Sequence, residues 1–389
     1  MAYFDIQVCL ISGQAAPNLL PILDPQFKPK EAIFLVSPQM KNQANYLEKV
    51  FKDKGVRVQQ EHIPDIFNFG EMSDYLLSLL EKYEDSNISI GLNVTGGTKL
   101  LAIAAQKAFE LIGKPVFYMD TDENRIIFIS KNNENKWISD FSINAKNDLN
   151  DYLASYGAKI LNKGEVQLNK IQQEIVNELI IRYDDYKNEI PLLNKSATLS
   201  QQTGYKFKES KDIKIQYFIN IINKFNDVGL IKLKDDTIDF IGKNYRDLVS
   251  GGWLEEYTLK QVKQIAKVQD YALSCEVANN KYRLDKNAYS NENKGNMNEF
   301  DVLFLAKNKL HIIECKTQLL DKGNSVKAED ILYKLETLKD YGGLMTKKCL
   351  VSYFPVPDAT KNRAKTYNIT IIDGKDVQRL KQKLQEWIG

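Results

Sequence analysis

A chain of 389 residues, 43% of them hydrophobic and 27% charged, calls for two or three folded domains and excludes wholesale disorder. Its formal net charge of +2 creates no global basic field, so any attraction for a polyanion must be local. Four widely spaced cysteines without a Cys/His grouping argue against structural zinc, and no apolar run approaches the ~18 residues of a membrane span, which points to a cytoplasmic protein with buried thiols.

Residues 1 to 145 alternate strand and helix patterns. Met-Ala-Tyr-Phe-Asp-Ile opens the sequence without the basic start of a secretion signal. Phe4 to Ile11 reads as a strand ending in Ser12-Gly13-Gln14, and Ala32 to Val36 as a second ending in Ser37-Pro38. A helical pattern through Tyr46, Leu47, Val50 and Phe51 precedes a short strand from Val56 to Glu61. Met72 to Tyr83 is helical, with Leu76, Leu79, Leu80 and Tyr83 on one face. Ile88 to Val94 is a strand, Thr98 to Ile112 an alanine-rich helix, and Pro115 to Met119 another strand. This order predicts a Rossmann-like α/β domain whose ligands sit beyond the carboxyl ends of a largely parallel sheet.

Residues 146 to 245 change character. Amphipathic helices are predicted over Lys170 to Tyr183 and Ile213 to Phe225, and Gly229 to Phe240 reads as a ribbon turning at Asp235-Asp236. This describes a small helical, winged-helix-like connector, a spacer or dimer contact more than a DNA reader. Asn144 to Asn150 and Ser196 to Ser210 are polar and read as loops. From 246 to 389 the pattern is a helix (Trp253 to Val268), a strand (Leu273 to Val277), a hairpin, a helix (Ala328 to Tyr341), two strands (Lys348 to Phe354, Ile369 to Ile372) and a helix (Lys375 to Trp387). A mixed sheet flanked by helices fits. Lys322, Lys327, Lys334, Lys339, Lys347, Lys348, Lys361, Arg363 and Lys365 follow the hairpin, as a candidate nucleic-acid footprint or a solvated helix face.

The hairpin carries the strongest chemical signal. Its strands run Asp301 to Leu305 and Leu310 to Lys316, with Ala306 to Lys309 between them. Alternation along a strand puts Glu314 and Lys316 on one face. Asp301 and Glu314 with the Lys316 ammonium can hold a Mg2+ or Mn2+ ion and activate water for phosphodiester cleavage. Upstream, Glu255 and Glu256 open a helix and supply another carboxylate. A salt bridge between Glu314 and Lys316 without chemistry is the competing reading.

The second signal is Asn93-Val94-Thr95-Gly96-Gly97-Thr98-Lys99, between an apolar strand and an apolar helix. Paired glycines let the backbone approach a ligand, and a helix N-terminus offers free N–H groups to an anion. Thr95, Thr98 and Lys99 add hydroxyls and a cation. The order Gly-Gly-Thr-Lys is not a Walker A loop, and GxGxxG is absent. Ser12, Gln14 and Ser37, at the ends of neighbouring strands, would complete the pocket. Arg57 and His62 make the R-x4-H spacing of HEPN ribonucleases but lie on a strand rather than a helix, and His311 faces away from Glu314 and reads as a packing residue.

Together the two motifs resemble CRISPR-associated CARF-domain nucleases, the Can- and Card-type ancillary effectors of type III CRISPR systems, over essentially the whole chain. The resemblance implies a CARF sensor in residues 1–145, a connector in 146–245 and a restriction-endonuclease-like PD-(D/E)XK α/β domain in 246–389. It implies that cyclic oligoadenylate, expected as cyclic tetra-adenylate, is made when a host complex meets foreign RNA. The ring would bind across a homodimer of CARF domains and switch on a metal-dependent endonuclease acting on DNA or RNA. By residue, Thr95, Gly96, Gly97, Thr98 and Lys99 match the phosphate-contacting loop, and Ser12 and Gln14 match the loop after the first strand. Asp301, Glu314 and Lys316 match the nuclease core, and Glu255 the carboxylate of its first helix, a role also open to Glu256. Phe300 stands where the PD element has proline. Two other readings compete: a ligand-responsive transcription regulator, which has no need of the Asp301, Glu314 and Lys316 constellation, and a ring nuclease degrading the messenger at Thr95 and Lys99.

Overall fold

The computed structural model describes residues 3–63, 67–84, 87–132, 134–286, 290–320 and 325–389. The amino-terminal part forms β1 (Ile6–Leu10), α1 (Ala16–Leu23), β2 (Glu31–Val36), α2 (Lys41–Asp53), β3 (Arg57–His62), α3 (Phe69–Glu84), β4 (Ile90–Asn93), α4 (Lys99–Leu111), β5 (Val116–Asp120), β6 (Arg125–Phe128) and β7 (Phe141–Ser142). Its strands lie in the order β3-β2-β1-β4-β5-β6-β7, parallel through β5 and antiparallel beyond. β1 and β4 are buried along their whole length, as central parallel strands covered by helices must be. Chain direction through the sheet reverses between them, which opens a crevice at their carboxyl ends. This is the expected Rossmann-like domain. α1 escapes sequence reading because it contains Pro17 and Pro21, of which Pro17 sits in the first turn, where a missing N–H is tolerated.

The chain continues through α5 (Leu149–Ala154) into β8 (Lys159–Gly164), which departs for the carboxyl-terminal sheet. A second unit follows: α6 (Lys170–Ile181), α7 (Tyr183–Tyr186), α8 (Ile190–Ser200), β9 (Lys206–Lys208), α9 (Ile219–Asp227), β10 (Lys232–Lys234) and β11 (Thr237–Asp239). Its strands order as β10-β11-β9, so the two-stranded ribbon expected here gains β9 as a third strand. The stretch Ser196 to Ser210, expected as loop, instead completes α8 and forms β9. Ser196 and Ser200 turn their hydroxyls onto the Leu193 and Ala197 carbonyls, so polar residues lie buried within a helix.

The remainder forms α10 (Lys243–Asp247), α11 (Trp253–Lys263), β12 (Val268–Ala278), β13 (Met297–Ala306), β14 (Lys309–Lys316), α12 (Ser325–Thr337), β15 (Lys347–Ser352), α13 (Asp358–Thr366), β16 (Ile369–Asp373) and α14 (Leu380–Ile388). Six strands pair in the order β16-β15-β14-β13-β12-β8, so the segment read as connector supplies an edge of this sheet. β13 and β14 are central and joined by a two-residue turn, Lys307-Asn308, with φ of +50° and +55°, tighter than the connection expected. One apolar core runs from the connector into this domain through Leu179, Phe225, Trp253, Phe304 and Tyr353. The Tyr353 hydroxyl also donates to the Leu179 carbonyl at 2.9 Å. The connector is therefore fused to its neighbour and is no free spacer. Among the described residues, no helix is long and apolar enough to cross a membrane.

Candidate functional site

The pairing of Val302 with Ile313 carries Asp301 and Glu314 side by side off the end of the β13–β14 ladder. Asp301 Oδ2 accepts the backbone N–H of Cys315 at 2.7 Å. The Lys316 ammonium lies 2.8 Å from Glu314 Oε1 and 3.7 Å from Asp301 Oδ2. A second cation, Lys334 of α12, meets both Glu314 oxygens at 3.0 and 2.9 Å. Burial works to raise Glu314, but the charges of Lys316 and Lys334 outweigh it and hold the carboxyl below its ordinary range. Burial and the neighbouring Glu314 charge push Asp301 up to about 6. Lys316 is disfavoured as a cation by burial, yet the two carboxylates hold its pKa above the usual lysine value.

Glu255, on the first turn of α11, is pushed up to about 8 by burial and by the charge of Asp301. Its Oε2 accepts the Ser274 hydroxyl at 3.1 Å. Ser274 has a left-handed φ of +42° in mid-strand, beside a register shift between β12 and β8 that aims the side chain at Glu255. Glu256 faces elsewhere, accepting the backbone N–H groups of Gln167 and Leu168 at 2.8 and 3.0 Å, and so anchors the entry to α6. Asn194 of α8 donates to the Thr317 carbonyl at 2.9 Å, directly after Lys316, so the connector braces the end of β14.

Among the described residues, no group of three or more His, Cys, Asp or Glu side chains is arranged to hold a metal ion. Asp301, Glu314 and Glu255 are thus not gathered into one ligand set: two lysines engage Glu314, and Glu255 turns to Ser274. The Asp301 and Glu314 pair nevertheless fits a hard dication. Both offer oxygen donors, their mutual repulsion is what a cation relieves, and an ion such as magnesium needs only one or two carboxylates beside water and phosphate.

The other candidate site opens at the carboxyl ends of β1 and β4. Ser12, Gln14, Thr95, Gly96 and Gly97 line one cavity of about 440 Å³ there, alongside Tyr118, Asp120 and Asp122. Gly96 is required by space, because a Cβ would lie 2.1 Å from the Leu10 carbonyl oxygen, and Gly97 by its φ of +72°. The Thr95 hydroxyl is already committed: it donates to Asn93 Oδ1 at 2.6 Å and accepts the Met119 N–H at 2.7 Å. Asn93 is fully buried, bracing the loop through Pro17 and Asn18, and so supports the pocket from beneath. Thr98 caps α4 by accepting the Leu101 N–H at 3.2 Å, and Lys99 stands exposed on the first turn. Neither Lys99 nor Ser37 lines the cavity; Ser37 is buried at the end of β2. Gln14 lines the cavity with a buried Nε2 that has no hydrogen-bond partner among the described residues.

The lysines expected as a nucleic-acid footprint are largely spoken for. Lys339 and Lys348 pair with Glu336, Lys361 with Asp373, and Arg363 with Glu329, while Lys347 binds the carbonyls of Trp387 and Ile388. Lys322 lies outside the described residues, as does the side chain of Lys327. Arg57 pairs with Glu31 at 3.2 Å, and His311 packs buried between Phe304 and Trp387. Lys334, expected only as part of that footprint, instead meets Glu314, and the cavity residues Tyr118, Asp122, Asn308 and Lys309 were not assigned to a site from the sequence, because no local spacing marks a contact made across the fold.

A family model described as Card1 CARF domain matches residues 6–152, and one described as Card1-like, endonuclease domain matches 242–389, together about three quarters of the chain. A search of curated proteins gives no match. Among solved structures, protein VC1899 from Vibrio cholerae is 22% identical with a TM-score of 0.85, covering 98% of this chain and 97% of that one. Can2 from Sulfobacillus thermosulfidooxidans, solved with cyclic tetra-adenylate, is 24% identical with a TM-score of 0.77 over 99% and 97%. A type III CRISPR defence DNA nuclease activated by cyclic oligoadenylate matches at 16% identity and a TM-score of 0.54, over 92% of this chain and 47% of that one. These structures share the fold, and the two family models account for both halves of the chain. The chain belongs to the CRISPR-associated nucleases that join an amino-terminal CARF domain to a carboxyl-terminal endonuclease domain.

Proposed function

We propose that the chain is a cyclic oligoadenylate-activated, metal-dependent endonuclease of the PD-(D/E)XK type, acting in the cytoplasm in type III CRISPR defence. The observation that carries this reading is the buried Asp301–Glu314–Lys316 centre with Glu255 beside it, on the chain that also holds the Gly96-Gly97 cavity. Cyclic tetra-adenylate is the proposed activator, bound by the Thr95 to Lys99 loop with Ser12 and Gln14. A homodimer would present two such cavities to a symmetric ring. Leu100, Ile103 and Leu111 on α4 support it, being 39%, 47% and 73% exposed, apolar, and on one side of the helix that starts at the cavity.

Bound at Asp301 and Glu314, magnesium or manganese would supply Lewis-acid chemistry, lowering the pKa of water and neutralising charge on the scissile phosphate. Lys316 remains a cation beside both carboxylates, which suits it to stabilise developing phosphate charge and makes it a poor proton acceptor. Burial and the charge of Asp301 favour the protonated form of Glu255, which limits the negative charge that the centre must carry. Lys334 fixes the orientation of Glu314. The substrate is DNA, RNA or both, read through its sugar-phosphate backbone. Incubating the purified protein and metal with single- and double-stranded DNA and RNA, with cyclic oligoadenylates of different ring size, tests the proposal. Cleavage only in the presence of a ring is expected, and a panel left uncut in every condition contradicts it.

A further inference from the structure

The turn of the catalytic hairpin does not end in solvent. Asn308 and Lys309, where β13 passes into β14, line the CARF cavity together with Gly97 and Asp122. Asn308 Nδ2 donates to the Thr121 carbonyl at 2.8 Å and to Asn124 Oδ1 at 2.7 Å. Gln269 of β12 grips Asn308 from behind, donating to its Oδ1 and accepting its N–H, both at 2.7 Å. Lys309 Nζ meets the two Asp122 oxygens at 2.8 and 2.9 Å, and its side chain is 15% exposed. Asp301, Glu314 and Lys316 lie toward the other end of the same two strands, roughly 17 Å away at the usual rise per residue.

We propose that Lys309, a residue of the endonuclease domain, reads the occupancy of the CARF cavity. A phosphodiester of the bound ring takes the Lys309 ammonium from Asp122, and the hairpin carries that exchange toward Asp301 and Glu314. The inference rests on the cavity being the ring's site. Asp122 is a carboxylate on the wall of the cavity, and Lys309 is the cation paired with it there. An entering phosphate repels Asp122 and attracts Lys309, so ring and carboxylate compete for one ammonium. Asp120 plays no such part, because Arg125 of its own domain pairs with it at 3.4 Å. A ligand shifts an equilibrium only through interactions that differ between the two states. Lys309 supplies such a difference, since its ammonium belongs to the responding domain and the competing carboxylate to the sensing one.

The test uses the full-length protein, cyclic tetra-adenylate and nuclease substrate, with ring affinity measured by calorimetry and cutting rate titrated against ring. Lys309→Met should raise the ring concentration for half-maximal cutting by roughly 5-fold or more, the low end of ordinary coupling between sites. Asp122→Asn should lower it, Lys309→Arg should restore near-normal behaviour, and the double variant should depart from the product of the single effects. Lys309→Met and Asp122→Asn that both titrate like wild type, or whose effects multiply independently, overturn the proposal. A wild-type protein that binds no ring would instead remove the reading of the cavity on which it rests, an outcome distinguishable from a responsive wild type with indifferent variants.

Discussion

Asp301 Oδ2 accepts the backbone N–H of Cys315 at 2.7 Å, so a carboxylate of one hairpin strand fixes the backbone between Glu314 and Lys316 of the other. The Cys315 side chain points to the opposite face, where its sulfur lies 3.5 Å from the Thr258 hydroxyl. Asp301→Asn keeps an oxygen for the Cys315 N–H and removes the charge. This variant should retain a melting temperature close to wild type and lose cutting by about 100-fold or more, the usual scale for removing a transition-state contact. A variant that unfolds would assign Asp301 to structure; one that cuts normally would remove it from the chemistry.

Lys316→Ala leaves Glu314 with Lys334 alone and deprives Asp301 of its nearest cation. Cutting should fall by roughly 100-fold or more, while ring affinity measured by calorimetry stays at the wild-type value. Lys334→Ala should cost less, because it orients Glu314 through a side chain 39% exposed to water. Equal losses in the two variants would show that both lysines act on the substrate directly.

Stability without metal should depend on pH in a definite direction. Asp301 is raised to about 6 from 3.8 and Glu255 to about 8 from 4.5, so the folded chain holds protons that the unfolded chain has shed. These groups contribute most below the unfolded values, and their contribution is lost as pH rises through about 6 and then about 8. In chelator, the urea midpoint should fall across this window, and Glu255→Gln should flatten its upper part. An unchanged slope in Glu255→Gln would place the titration elsewhere.

Chelation should silence cutting, and manganese or magnesium should restore it. The ion should also raise the melting temperature, with about 2.7 kcal/mol of stabilisation at 100 times its dissociation constant. The gain should be larger at pH 8 than at pH 6, where Asp301 and Glu255 still hold protons. Activity indifferent to chelator would end the metal reading.

Gly96→Ala forces a Cβ against the Leu10 carbonyl oxygen, 2.1 Å away, on the strand facing the loop. A loss of about 1–3 kcal/mol in denaturant unfolding is expected, with weakened ring binding, as for overpacking elsewhere. Full stability together with full ring affinity would mean that the loop can move aside.

The alternating strands and helices of the CARF domain were legible because buried parallel strands are apolar throughout and their helices amphipathic. Glu314 and Lys316 were legible because strand alternation alone puts them together. Glu255 and Glu256 were not separable: neighbours on a helix point in different directions, and only packing shows that Glu255 meets Ser274 while Glu256 caps the entry to α6. Lys334 reaches Glu314 from a different helix, and Lys309 reaches the CARF cavity from a different domain, contacts that no spacing encodes. Polarity misled at Ser196 and Ser200, whose hydroxyls are satisfied by their own helix.

Ring-dependent cutting tests the central claim most directly. The initial cleavage rate of the most susceptible nucleic acid should be measured with manganese, with and without saturating cyclic tetra-adenylate. A rise of about 100-fold is expected if the ring moves the protein from a mostly resting to a mostly active population. Equal rates with and without the ring would contradict it.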